Sequence, residues 1–145
     1  MKTISSCGTQ ALNYLLAQGF SVMPVGKDKK PLLRSWKEFQ SRLPTEEEVR
    51  NWWIKYPEAN IGIITGKISG LTVVDVDTYK GGKAEKFPKT FTVRTGNGGI
   101  QLYYKYAEGF SISANAYPDM PFVDLRSDGG FVVAPPSVTD YFEKG

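Results

Sequence analysis

Asp75 and Asp77 stand two residues apart at the end of the apolar run Leu71-Thr72-Val73-Val74-Asp75-Val76. The run is rich in β-branched residues and follows the turn residues Ser69 and Gly70, which predicts a buried strand. Side chains alternate along a strand, so the two carboxylates share a face. Acids that close repel each other unless something positive sits between them. Mg²⁺ prefers hard oxygen ligands and takes one or two carboxylates plus substrate phosphates. The same spacing also describes two solvated acids where a strand enters a loop.

Asp124 lies in Val123-Asp124-Leu125-Arg126, where alternation sets Asp124 and Arg126 on one face and Val123 and Leu125 on the other. Aspartate is depleted in strands. An Asp124–Arg126 ion pair is one reason for it to be there. A third carboxylate beside Asp75 and Asp77, holding one or two divalent metals, is the other. Thr95-Gly96-Asn97-Gly98-Gly99 is either a plain hairpin turn or a run of backbone amides able to cradle phosphate. Lys27, Lys29, Lys30, Arg34 and Arg94 offer cationic contacts to a triphosphate or a nucleic-acid backbone. Trp36, Trp52 and Trp53 read as packing residues.

The elements that must position these groups follow from the pattern. Ser5 or Ser6 caps a helix that runs to Gln18 and is stopped by Gly19. Residues 20–24 form a short strand, and residues 26–34 a basic loop. Thr45-Glu46-Glu47-Glu48 opens a second helix with a capping box, ending near Tyr56 before Pro57. Strands are expected at 61–65 and 71–77, with 80–88 irregular apart from one helical turn. From Thr90 onward the pattern is all strand: a hairpin of 91–95 and 100–106, a second hairpin of 122–126 and 131–134, and the start of a strand at 138–142. Two early helices and a strand-rich second half give an α+β domain with a mixed or antiparallel sheet.

Bulk properties narrow the chemistry. The 145 residues, 41% hydrophobic and 23% charged, suit one domain with a real core. The charge of +3 permits a polyanionic partner without demanding one. There are no histidines, which removes His bases, His metal ligands and Ser-His-Asp or Cys-His triads. The single cysteine, Cys7, excludes an intramolecular disulfide and a Cys-based zinc site. No signal peptide or membrane-length apolar run is visible, so a cytoplasmic location and no membrane partner are expected.

Several segments, in order over nearly the whole length, resemble one family. They are Gly19-Phe20-Ser21-Val22-Met23-Pro24-Val25, Lys30-Pro31-Leu32, Trp52-Trp53 with Tyr56-Pro57-Glu58-Ala59-Asn60-Ile61-Gly62, Thr65-Gly66 and Ser69-Gly70-Leu71. Val74-Asp75-Val76-Asp77, Thr92-Val93-Arg94-Thr95-Gly96 with Gly98-Gly99, and Val123-Asp124-Leu125-Arg126 through Gly129-Gly130-Phe131-Val132-Val133-Ala134-Pro135-Pro136-Ser137 follow. The chain resembles the N-terminal catalytic domain of bifunctional DNA primase/polymerases, the Prim-Pol branch of the archaeo-eukaryotic primase superfamily.

The resemblance implies an N-terminal α/β unit packed with an RRM-like sheet, with the active-site cleft between them. It implies that Asp75, Asp77 and Asp124 carry Mg²⁺ or Mn²⁺, and that the protein makes or extends primers on single-stranded DNA from dNTPs or NTPs. Such domains commonly belong to plasmid or phage replication proteins, often ahead of a helicase. The whole of residues 1–145 is then one catalytic domain, the front part of a longer protein. The candidate nucleotide contacts are Gln101, Arg126 and Ser137, with Arg94 and the turn containing Gly98 and Gly99 nearby, and Lys30 guiding nucleotide or template phosphate. One position departs from the family. In Gly98-Gly99-Ile100-Gln101-Leu102-Tyr103, Gln101 occupies the place of the nucleotide-contacting histidine. Glutamine donates a hydrogen bond but cannot become a cation. Two other readings are a Prim-Pol relative that binds nucleotide or single-stranded nucleic acid without catalysis, and a different D-x-D metal enzyme such as a nucleotide-sugar glycosyltransferase.

Overall fold

The structure is a computed structural model that describes residues 4–77, 88–95, 99–106 and 123–137. Helix α1 spans Ser6–Gln18 and is capped by Ser5, whose hydroxyl accepts from the Gly8 amide at 3.1 Å. It ends at Gly19, whose N–H donates to the Leu15 carbonyl. Helix α2, Glu46–Lys55, has the full capping box: Glu48 N–H donates to Thr45 Oγ1, and Thr45 N–H donates to Glu48 Oε1. Strand β1 is Ser21–Val25 and β2 is Asn60–Ile64. Between them a one-turn 3₁₀ helix covers Lys37–Gln40, which the apolar pattern does not predict. The remaining strands are β3, Leu71–Val76; β4, Phe91–Arg94; β5, Ile100–Lys105; β6, Val123–Arg126; and β7, Phe131–Ala134.

These strands form two antiparallel sheets, in the orders β1-β2-β7 and β4-β5-β3-β6. The fold is α+β, as the element pattern predicts. The expected hairpin of β4 and β5 is present, and Thr95 N–H donates to the Gly99 carbonyl at its closed end. The expected hairpin of β6 and β7 is absent. β6 pairs with β3 in the second sheet, and β7 pairs with β2 in the first. The turn at Ser127-Asp128-Gly129-Gly130 exists, closed by Gly130 N–H to the Ser127 carbonyl. It carries the chain across from one sheet to the other. Turn chemistry is local, whereas strand partners are chosen by burial: Val123 and Leu125 belong to one core, Val132 and Ala134 to another. The expected segments 80–87 and 138–142 lie outside the described residues.

Alternation on the strands sorts the cores. Val22, Ile61, Ile63, Val132 and Ala134 line one face of the first sheet, beneath Ala11, Leu12 and Leu15 of α1 and Val49 and Trp53 of α2. Trp53 is 1% exposed, and its indole N–H donates to the Ala59 carbonyl. Met23, Val25 and Ile64 line the other face, under Trp36 and Phe39. Val73, Val93 and Tyr103 of the second sheet join the first of these cores, so that face of the second sheet turns toward the first sheet. Its opposite face buries Val74, Val76, Leu102, Val123 and Leu125 separately.

The two sheets are joined at one end. Gly66 and Leu71 exchange both backbone hydrogen bonds where β2 gives way to β3. Thr65 Oγ1 donates to the Ser127 carbonyl, Thr65 N–H donates to the Gly130 carbonyl, and Thr72 and Ser127 hydroxyls meet at 3.1 Å. Asp128 ties in Lys67 N–H and the Tyr106 hydroxyl. This joint generates a stability prediction. Gly66 and Gly70 both have positive φ, +100° and +66°, but a Cβ on Gly66 would lie 2.5 Å from Asp128 Oδ1 and 2.8 Å from its Cα, whereas one on Gly70 meets nothing. Gly70→Ala should cost about 1–2 kcal/mol for its left-handed backbone. Gly66→Ala should cost clearly more, since the clashing atoms include backbone. Urea unfolding of both variants measures the difference, and equal losses would mean that the joint yields easily.

Candidate active site

The register of the second sheet builds a polar row from residues far apart in sequence. Asp75 of β3 is directly opposed by Gln101 of β5 on one side and by Asp124 of β6 on the other. Directly opposed residues bring their Cβ atoms to about 4.5–5.5 Å. Gln101 is in turn opposed by Val93 of β4. One row nearer the joint, Tyr103, Val73 and Arg126 are neighbours on the same face. The face that turns toward the first sheet is therefore apolar near the joint, at Val73 and Tyr103. It becomes acidic as β3 runs outward to Asp75.

Asp75 is largely buried, and desolvation pushes its carboxyl from the ordinary 3.8 up to about 6. Arg126 works against this shift, while the charges of Asp77 and Asp124 reinforce it. Asp77 stands just beyond the end of β3. Arg126 lies 3.8 Å from Asp124, with a quarter of each side chain exposed. That distance is an ion pair without a hydrogen bond, so the expected Asp124–Arg126 partnership is present in a loose form.

Other candidate residues are placed differently. Lys30 is exposed, and its N–H donates to Asp28 Oδ1 in the turn after β1. Its neighbour Lys29 is only partly exposed and holds a left-handed backbone, φ 70°, in a turn closed by its N–H to the Gly26 carbonyl. Lys29 is the lysine whose charge lowers the Asp75 pKa. Three lysines in four residues look alike in sequence, and only the turn decides which one the carboxylates feel. Arg94 is opposed by Ile100. It therefore belongs to the face opposite Asp75 and is not brought to the acidic row. The Ser137 hydroxyl accepts from Ile61 N–H at 2.9 Å, which holds Ser137 against the first sheet. Gly99 closes the β4–β5 turn, and Gly98 lies outside the described residues.

Two buried polar atoms on this same face have no hydrogen-bond partner among the described residues: Gln101 Oε1 and the Tyr103 hydroxyl. Burial raises the Tyr103 pKa, so the phenol stays neutral. Sequence reasoning picked out Gln101 for its position but gave Tyr103 no role. Among the described residues no three His, Cys, Asp or Glu side chains form a group able to hold a metal. The donor set nevertheless fits a hard cation, which commonly binds through one or two carboxylates and fills its other positions with water and phosphate. Asp75 and Asp124 supply two such carboxylates on adjacent strands, and the orphaned amide oxygen lies beside them. No helix among the described residues is long and apolar enough to cross a membrane.

The raised pKa of Asp75 has a stability consequence with a definite sign. Below about pH 4 Asp75 is protonated whether the chain is folded or unfolded, and it costs nothing. As pH rises through 4 to 6 the unfolded chain ionises first, so the folded state loses stability, and above about 6 the loss is complete. The span from 3.8 to about 6 corresponds to a loss on the order of 3 kcal/mol. Asp75→Asn should therefore match wild type near pH 4 and be the more stable protein near pH 7.5, in metal-free buffer. Urea midpoints at the two pH values test this, and a pH-independent difference would show that the carboxyl is not buried against its neighbours.

No curated protein matches the chain. The family model for bifunctional DNA primase/polymerase, N-terminal, matches residues 11–144, which include every carboxylate of the row, Gln101, and the seven strands of the described residues. With almost the whole chain covered, the protein belongs to the bifunctional DNA primase/polymerase N-terminal (Prim-Pol) family, a family of primase/polymerase nucleotidyltransferases whose members are generally metal-dependent.

Proposed function

We propose that the chain is a metal-dependent nucleotidyltransferase that synthesises or extends primers on single-stranded DNA from dNTPs or NTPs. One observation supports this above the others: Asp75 and Asp124, 49 positions apart by their numbers, are directly opposed on adjacent strands. Burying Asp75 next to two like charges destabilises the apoprotein. Such an arrangement is explained by a cation that the acids hold together.

In this reading Asp75, Asp77 and Asp124 hold Mg²⁺ or Mn²⁺. Metal bound there would lower the pKa of the attacking 3′-hydroxyl and neutralise charge on the triphosphate and the leaving pyrophosphate. The chain's own residues do the rest. Arg126, beside Asp124, offers a planar fork to phosphate oxygens. The Lys27–Lys30 turn lies at the end of β1 remote from the joint, where Lys29 supplies positive charge toward Asp75. The Gln101 amide can donate to a phosphate oxygen, and Ser137 retains a hydroxyl proton to give. Single-stranded DNA is the expected template and primer partner, and a helicase domain or protein a further one.

The test is an extension assay with single-stranded DNA, labelled dNTPs and Mn²⁺, with and without an annealed primer. Wild type should incorporate nucleotide only when metal is present. Asp75→Ala and Asp77→Ala should each lower incorporation on the order of 100-fold or more, the scale of losing one electrostatic stabiliser of a transition state, while keeping the fold. Undiminished incorporation by the double variant, or extension in EDTA, would refute the proposal. Nucleotide or DNA binding with no extension would favour the non-catalytic relative instead.

A further inference from the structure

Gln101 is 6% exposed, and its Oε1 is buried without a hydrogen-bond partner among the described residues. Leaving a buried acceptor unsatisfied costs free energy, so such a group calls for a further partner. Its place narrows the choice. Gln101 is the direct cross-strand neighbour of Asp75, which is itself the direct neighbour of Asp124, and all three share the face turned to the first sheet. Ionised carboxylates have no proton to give this amide oxygen, which is instead a good further ligand for a hard cation. Amide carbonyls are ordinary ligands of such ions.

We propose that Gln101 Oε1 ligates the divalent cation held by Asp75, Asp77 and Asp124, so that an amide oxygen joins the carboxylates on the metal before any nucleotide arrives. The inference rests on the metal-dependent reading above and adds a role to the residue at the family's histidine position. A glutamine side chain has an acceptor and a donor on one carbon. Oε1 faces the cation, and the Nε2 hydrogens remain available for a triphosphate oxygen. A neutral imidazole has a single acceptor nitrogen and a single N–H, on opposite sides of the ring, so it divides the two tasks differently.

The experiment is a calorimetric titration of the chain with MnCl₂, without nucleotide, for wild type, Gln101→Met and Gln101→Glu. Methionine keeps the length and removes the oxygen. Glutamate keeps an oxygen and adds charge. Gln101→Met should bind Mn²⁺ about ten- to a hundredfold more weakly than wild type, the scale of losing one contact to a charged group. Gln101→Glu should bind at least as tightly as wild type. Equal or tighter Mn²⁺ binding by Gln101→Met would overturn the inference, because the oxygen would then be satisfied by water, or the amide would be turned to donate to Asp75. If Gln101→Met fails to fold, Gln101→Glu carries the test, and weaker binding than wild type overturns it. No Mn²⁺ binding by wild type without nucleotide would also overturn it. The two proposals fail separately. If Asp75→Ala abolishes extension while Gln101→Met leaves Mn²⁺ affinity unchanged, the metal-dependent reading stands and the ligand assignment falls.

Discussion

The chain passes between its two sheets twice at the same place, and the site depends on that double crossing. β2 leads through Gly66 into β3, and β6 leads through Ser127–Gly130 into β7. Both passages are fastened to each other by Thr65, Thr72 and Ser127, whose polar groups are buried and mutually satisfied. Buried polar groups cost free energy unless paired, and bringing these turns together pairs them. With one end fixed, the strands must run outward side by side. The face of the second sheet bearing Val73 then seals against the first sheet, and the same strand carries Asp75 and Asp77 outward from that seal.

That arrangement sets the electrostatics. Asp75 is close enough to the apolar seal to be desolvated, and close enough to Asp77 and Asp124 to feel their charge. The offsetting cations come from different parts of the chain: Arg126 from the strand next door, Lys29 from a turn on the first sheet. A carboxyl poised near pH 6 is sensitive to any added positive charge. Binding a divalent cation there therefore couples to the stability of the folded chain.

The side chain at position 101 shapes the character of the acidic row. It fits a strand position that is buried and directly opposed to an acid. A histidine there would bring a titratable cation to the row, whereas glutamine brings a neutral group with both an acceptor and a donor. The chain contains no histidine at all, so no other imidazole compensates.

Much of this was legible in the sequence. The helix limits, the capping box at Thr45, the β4–β5 hairpin and the alternation that puts Asp75 with Asp77 and Asp124 with Arg126 all follow from local chemistry with a period of two or 3.6 residues. The family, too, was legible from ordered motifs. Pairing was not. The β6–β7 turn has every mark of a hairpin, yet its strands join different sheets, because strand partners are chosen by which core buries Val123 and Leu125 and which buries Val132 and Ala134. The same limit applied to the cations. Arg94 sits within a residue of the right row but on the wrong face, and Lys29 is distinguished from Lys30 only by a left-handed turn. Sequence by itself determined which residues can do chemistry and which of them share a strand face. Tertiary structure decided which strands lie side by side, and so which acids meet, because a strand's own alternation fixes its faces while its partners are chosen by burial across the whole fold.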